Sequence, residues 1–232
     1  MRAAAPLRML VRRAPARPRR LRARRPRAPV SSPAAAFERC IAAGGVVLFP
    51  ADTVYGLACD PDNGEAVARL CAIKKRPPPK AAAIMFFAVE DALASLSALG
   101  ERTRAALARL LPGGLTALLP NPERRFPLAC GNDPSTIGLR VPRLALLADV
   151  RRPVLQSSAN LAGGPDSRRL SDVPEEIRAA VDLGFDGGEL PGTPSTVVDL
   201  RGYEAGGEWA VVRAGALDPA ELAVALGPGS VP

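Results

Sequence analysis

The chain contains no histidine. That removes the side chain whose unperturbed pKa sits near neutrality, every Ser-His or Cys-His nucleophile, and most zinc chemistry. Lysine is nearly absent too, with only Lys74, Lys75 and Lys80 against 28 arginines. Aromatic residues number one Trp, two Tyr and six Phe, few for a surface that stacks bases. The four cysteines (Cys40, Cys59, Cys71 and Cys130) form no C-x-x-C pair. This excludes a zinc ribbon or a thioredoxin-type site and fits a reducing compartment such as the cytoplasm. No apolar run reaches the roughly 18–20 residues of a membrane span, so a soluble chain is expected.

What is present is a hydrophobic content of 47% over 232 residues, enough for one well-buried domain. The net charge of +8 is unevenly spread. Residues 1–30 hold 11 Arg and no acidic residue, whereas the rest has 20 basic against 23 acidic residues and is mildly acidic. The Arg/Pro/Ala-rich stretch 1–30 reads as a disordered extension. A basic arm on RNA and a transit-like peptide are its other readings, although Pro15, Pro18, Pro26 and Pro29 oppose the helix a transit peptide needs.

Ser31-Ser32-Pro33 predicts a helix start, ending near Ala43 before Gly44-Gly45. Val46 to Phe49 predicts a buried strand closed by Pro50. Further helices are expected over 63–74, 101–111, 173–181 and 218–226. Further strands are expected over 83–87, 115–119, 136–141, 154–155, 195–200 and 208–213. Interleaved strands and helices without a repeat indicate an α/β class: a single-domain twisted open mixed sheet flanked by helices, over 31–227, with 228–232 as a tail.

All three lysines fall in one window, Ile73-Lys74-Lys75-Arg76 to Lys80, at a helix end. Cations there favour the helix dipole by about 0.3–1 kcal/mol, which accounts for one or two of them. Four cations in seven residues repel one another and are better explained by a polyanion among them, most simply a phosphate-rich ligand. Neither G-x-x-x-x-G-K-[ST] nor G-x-G-x-x-G accompanies them, so any nucleotide cradle is of another kind. Four polar segments lie beside strands: Pro50 to Leu57, Gln156 to Asn160, Ser135-Thr136, and Pro194-Ser195-Thr196. Singly, each reads as turn capping. Together with the cationic loop they suggest a ligand site at strand ends.

These segments resemble the YrdC-like family, the threonylcarbamoyl-AMP synthases of tRNA modification. The matching stretches are PADTVYGL (50–57), Lys74-Lys75-Arg76-Pro77, Pro112-Gly113-Gly114-Leu115-Thr116, Gly138-Leu139-Arg140-Val141-Pro142, Ser158-Ala159-Asn160, Pro194 to Asp199, and Val211 to Gly215. They follow the family's order across 44–215. The resemblance implies a reaction in which L-threonine, bicarbonate or CO2, and ATP give threonylcarbamoyl-AMP and pyrophosphate. A tRNA-modifying transferase complex then uses the product. It further implies ATP binding, with Mg2+, by Lys74, Arg76, Lys80, Thr136, Ser158, Asn160 and Arg213. Thr53, Arg140 and Ser195 would hold threonine, with Arg140 on its carboxylate. No acid–base residue is implied; Lys74 and Arg76 would act electrostatically.

Three positions depart from the family pattern: Ala51 for Thr, Met85 for a His facing the threonine site, and Asp166 for a Ser near the nucleotide. The His-Pro that follows Arg-Val-Pro in the family is also missing. The alternatives are a non-catalytic RNA-binding module on the same fold, with the tail adding a tRNA contact, or a related carbamoyl or adenylyl transferase with another substrate.

Overall fold

Ser32, Asn63 and Asp218 each turn a side-chain oxygen onto a backbone N–H two or three residues later, and a helix starts at each. Pro33 and Pro219 follow two of these caps, where the N–H they lack would have no partner. The structure, a computed structural model, describes residues 8–11, 32–77 and 80–229. Its helices are α1 (Pro33–Ala42), α2 (Gly64–Ile73), α3 (Val89–Ser95), α4 (Glu101–Leu110), α5 (Glu175–Ala180), α6 (Tyr203–Gly206) and α7 (Pro219–Leu226). Its strands are β1 (Arg8–Val11), β2 (Val47–Pro50), β3 (Tyr55–Cys59), β4 (Ala83–Met85), β5 (Leu115–Pro120), β6 (Thr136–Arg140), β7 (Val154–Ser158), β8 (Leu183–Asp186), β9 (Thr196–Asp199) and β10 (Ala210–Arg213).

Among the described residues these strands make one open mixed sheet in the order β1-β8-β2-β3-β7-β4-β6-β5-β9-β10. The pairs β2/β8, β4/β6 and β5/β9 are parallel and the others antiparallel. Alternation along each strand sorts side chains onto two faces. Leu48, Leu57, Ile84, Leu115, Ala117, Leu139 and Leu155 point to a large core closed by residues of α2 to α7, among them Leu70, Leu107, Ile177, Tyr203 and Leu222. Val47, Phe49, Ala58, Met85, Val154 and Phe185 point to a second, smaller core under α1 and the turn at 145–147. Phe37 of α1 closes it with edge-on contacts to Phe49 and Phe87.

That second cover reaches only part of the sheet. On β5, β6 and β9, Thr116, Arg140 and Val197 are among the side chains on this face, and these three border a cavity. One face is therefore fully packed, and the other is packed at the β8-β2-β3 end and hollow toward β9. The hollow half positions the site.

The sequence reading misses several elements. The sequence of 50–57 reads as a polar loop because Asp52, Thr53 and Gly56 crowd it, yet Tyr55 to Cys59 form β3 and are all buried between β2 and β7. The sequence signals none of Leu183–Asp186, Val89–Ser95 and Tyr203–Gly206, which are short; Gly184 interrupts the first and Gly206 ends the last. Within the arm read as disordered, Arg8–Val11 form β1 against β8. Met9-Leu10-Val11 is the apolar run of that arm, and the edge of β8 offers it unpaired backbone groups. Residues 1–7 and 12–30 lie outside the described residues.

Candidate active site

The hollow is a cavity of about 450 Å³ over strands β7, β4, β6, β5 and β9. Lys74, Arg76, Lys80, Arg140 and Arg213 line it, with Asp166 as the one carboxylate among the lining residues. A ligand entering it meets an excess of positive charge inside partly buried walls, where fields act with less screening than in water.

Lys74 is the C-cap of α2, and its side chain is only 3% exposed for the residue as a whole. Its ammonium donates to the backbone oxygen of Ser158, to the backbone oxygen of Asn160 at 2.7 Å and to Asn160 Oδ1 at 3.0 Å. These use all three of its donors. Ala162 N–H returns a bond to the Lys74 carbonyl at 2.9 Å. Asn160 Oδ1 also accepts from Ser158 Oγ at 2.7 Å, and its Nδ2 donates to Gly164 O at 2.5 Å. One buried lysine therefore shapes the whole 158–164 loop. Burial, with Arg76 beside it, pushes the Lys74 ammonium down to about 8, while Asp166 pulls the other way.

Arg76 donates to Ser157 Oγ at 3.0 Å, to Lys80 O at 3.0 Å and to Ala81 O, and its buried Nε has no partner. It spans β7 and the 76–81 loop, so it is a half-buried strut as well as a cation. Lys80 lies exposed at the rim. Lys75, the fourth cation of the window, turns away to Glu176 at 2.6 Å, which accounts for it without a ligand.

At the other wall, Thr116 Oγ1 and Ser195 Oγ are 2.8 Å apart, and Arg213 donates to Ser195 O at 2.7 Å and to its Oγ at 3.4 Å. Gly215 permits this contact, because a Cβ there would stand 2.3 Å from Pro194 O and 2.5 Å from Thr196 N. Arg140, 4% exposed, donates through Nη2 to Asp52 Oδ1 at 2.7 Å and to Thr53 Oγ1 at 3.3 Å. Its Nε has no partner. Burial pushes the Asp52 carboxyl upward against the pull of Arg140.

Of the residues singled out from the sequence, Lys74, Arg76, Lys80, Ser158, Asn160, Arg140, Ser195 and Arg213 line this cavity. Thr53 stands behind Arg140 and lines an adjoining cavity, reaching the first through that guanidinium. Thr136 is not brought into this lining. Its hydroxyl donates to Asp133 Oδ2 at 2.6 Å and accepts from Arg201 at 3.4 Å, at the opposite end of β6 from Arg140 and outside the cavity lining. Met85 is fully buried in the smaller core and does not line the cavity, so the departure from His is absorbed by packing. Asp166 does line it, facing the cations. Asp52, Thr116, Gln156 and Ser157 lie in segments that the sequence marks, yet the sequence assigns none of them a role of its own. Buried polar residues inside apolar strands were the signal available for Thr116 and Gln156.

The family model for Sua5/YciO/YrdC, described as "Telomere recombination", matches residues 39–215. The threonylcarbamoyl-AMP synthase of Chromohalobacter salexigens is 36% identical over 167 residues, 69% of this chain and 89% of that protein. The one from Stutzerimonas stutzeri is 35% identical over 171 residues, 72% of this chain and 91% of that protein. Among solved structures, P. abyssi Sua5 complexed with L-threonine superposes with a TM-score of 0.74 at 28% identity, over 84% of this chain. The chain spans only 58% of that Sua5 chain. E. coli YciO gives a TM-score of 0.67 at 28% identity, covering 82% of this chain and 92% of YciO. A cationic hollow on half of one sheet face, built from motifs in the family's order and matched over most of the chain, leads to one conclusion: this protein belongs to the Sua5/YciO/YrdC family.

Proposed function

We propose that this chain is an L-threonylcarbamoyladenylate synthase, forming threonylcarbamoyl-AMP and pyrophosphate from L-threonine, bicarbonate or CO2, and ATP. The observation that carries the reading is the division of charge around one cavity. Lys74, Arg76 and Lys80 line one part of it, while at the other wall Arg213 holds Ser195 and Arg140 stands paired with Asp52 beside Thr53. The first group suits a polyphosphate and the second a single carboxylate. The names of the relatives from C. salexigens and S. stutzeri and the threonine complex of P. abyssi Sua5 support the same assignment.

The chemistry is within reach of a protein without histidine. The threonine amine combines with CO2 and loses a proton to give a carbamate. A carbamate oxygen then bonds to the α-phosphorus as the bond to the β-phosphate oxygen breaks. Two anions must meet and a third must leave, so fixed cations supply the needed stabilisation. Arg76 lines the cavity as a cation braced by Ser157, Lys80 and Ala81, and Lys74 holds the 158–164 loop beside it. Arg213 and Ser195 brace the opposite wall.

Mg2+ would supply further neutralisation of the phosphates. The described residues include no cluster of three His, Cys, Asp or Glu, and the cavity lining has Asp166 alone. That donor set fits an ion carried in on phosphate oxygens. The product is a mixed anhydride, and a tRNA-modifying transferase complex in the cytoplasm is the acceptor we assign to it. No helix among the described residues is long and apolar enough to cross a membrane.

The test is pyrophosphate release by the full chain with ATP, Mg2+ and bicarbonate, with and without L-threonine. Release that needs both threonine and bicarbonate is expected. Release indifferent to threonine, or ATP binding without release under all conditions, would overturn the reading.

A further inference from the structure

The five cations around the cavity are not equivalent. Arg140 is the one held in a buried ion pair, with side-chain exposures of 5% for Arg140 and 9% for Asp52. Asp52 Oδ2 also accepts from Arg143 N–H at 3.3 Å, which fixes the carboxylate from behind. Asp52 lies in the turn between β2 and β3, closed by Ala51 N–H to Val54 O at 3.3 Å. The carboxylate thus occupies the Nη2 edge of the guanidinium and leaves Nε without a partner. A guanidinium so held presents its remaining donors in one orientation and carries little net charge as a pair.

We propose that Asp52 is a positioning and specificity-determining residue: it cancels the charge of Arg140 and orients its guanidinium at the cavity wall, so that this cation takes a monoanionic carboxylate and refuses phosphate. The inference rests on the assignment of Arg140 to an amino-acid carboxylate. Without Asp52, Arg140 would be a fifth unneutralised cation beside Lys74, Arg76, Lys80 and Arg213. Phosphate oxygens would then compete for the amino-acid position, since a dianion gains more from a bare guanidinium than a carboxylate does. Thr53 adds to the same orientation through its 3.3 Å contact but cannot cancel charge.

The readout is binding by calorimetry, which is independent of turnover. L-threonine and inorganic pyrophosphate are titrated separately, and threonine again in the presence of pyrophosphate, into the wild-type chain and Asp52→Asn. Wild type should bind threonine with little competition from pyrophosphate. Asp52→Asn should lose about 10- to 100-fold in threonine affinity, as for a misplaced charge-assisted hydrogen bond, and pyrophosphate should now displace threonine. Asp52→Glu should restore most of the discrimination. Should Asp52→Asn fold poorly, Asp52→Asn/Arg140→Gln removes both charges together; it should show no pyrophosphate competition and lose no more threonine affinity than Arg140→Gln alone. Unchanged threonine affinity and unchanged competition in Asp52→Asn would overturn the proposal. Failure of the wild-type chain to bind threonine at all would instead overturn the functional reading on which it rests.

Discussion

Lys74 and Asn160 are joined twice: the lysine ammonium donates to the Asn160 backbone oxygen at 2.7 Å and to its Oδ1 at 3.0 Å. Every donor of Lys74 is committed to the 158–160 segment before any ligand arrives. The lysine contributes field and loop geometry to the cavity.

Activity and stability should therefore respond to pH in opposite directions. In the folded chain Lys74 titrates at about 8, against 10.5 for the ordinary side chain. Between those values the unfolded chain binds more protons, so this group makes stability rise with pH there and adds no slope below about 8. Loss of the cation weakens the hold on phosphate over the same interval. The kcat/KM for ATP should fall above about pH 8 while the melting temperature does not fall with it. Parallel rate and melting profiles from pH 7 to 9.5 check this.

Asp166→Asn removes the carboxylate that supports the Lys74 proton. The alkaline limb should move to lower pH, and ATP should bind more tightly at pH 7 because a repulsive charge has left the lining. A limb that stays in place would separate Asp166 from Lys74.

Arg76→Lys keeps the charge but cannot reach Ser157 Oγ, Lys80 O and Ala81 O at once. Both nucleotide affinity and stability should drop, the latter by about 0.5–1.5 kcal/mol for each partly exposed hydrogen bond lost. ATP titration and urea unfolding of one preparation measure the two together.

Thr136→Val should leave ATP affinity unchanged, since that hydroxyl serves Asp133 and Arg201 outside the cavity. Calorimetric titration with ATP decides it.

Gly215→Ala inserts a methyl against the backbone of Pro194, Ser195 and Thr196. Overpacking of this sort costs about 1–3 kcal/mol. Because the displaced segment carries Ser195, threonine affinity should fall along with the melting temperature, whereas Gly64→Ala, with open space around it, should move neither.

Local signals carried much of this structure. Ser31-Ser32-Pro33 announces the first helix, and the expected helices over 63–74 and 218–226 begin where Asn63 and Asp218 cap them in the structure. Apolar runs at 46–49, 115–119 and 154–155 announce the strands observed at Val47–Pro50, Leu115–Pro120 and Val154–Ser158. The motif segments converge on one cavity although they are spread from residue 53 to residue 213. Strand order was not legible, because β2/β8 and β5/β9 pair residues far apart in the chain with no local marker. Side-chain direction was not legible either. Thr136 and Arg140 share one strand face, yet Asp133 draws the first hydroxyl out of the site. The neutralisation of Arg140 by Asp52 depends on two residues 88 positions apart.

The one-sided hollow also has a consequence for folding. Its lining comes from β4, β5, β6, β7, β9 and β10, and the last contribution, Arg213, arrives near the end of the described chain. No contiguous fragment shorter than residues 54–213 contains the walls. The site exists only once long-range pairings are complete, which places the chain among the slower-folding topologies. Ligand occupancy and global folding become a single equilibrium, and ATP should raise the melting temperature of the whole domain by mass action, with no separately melting ligand-bound unit.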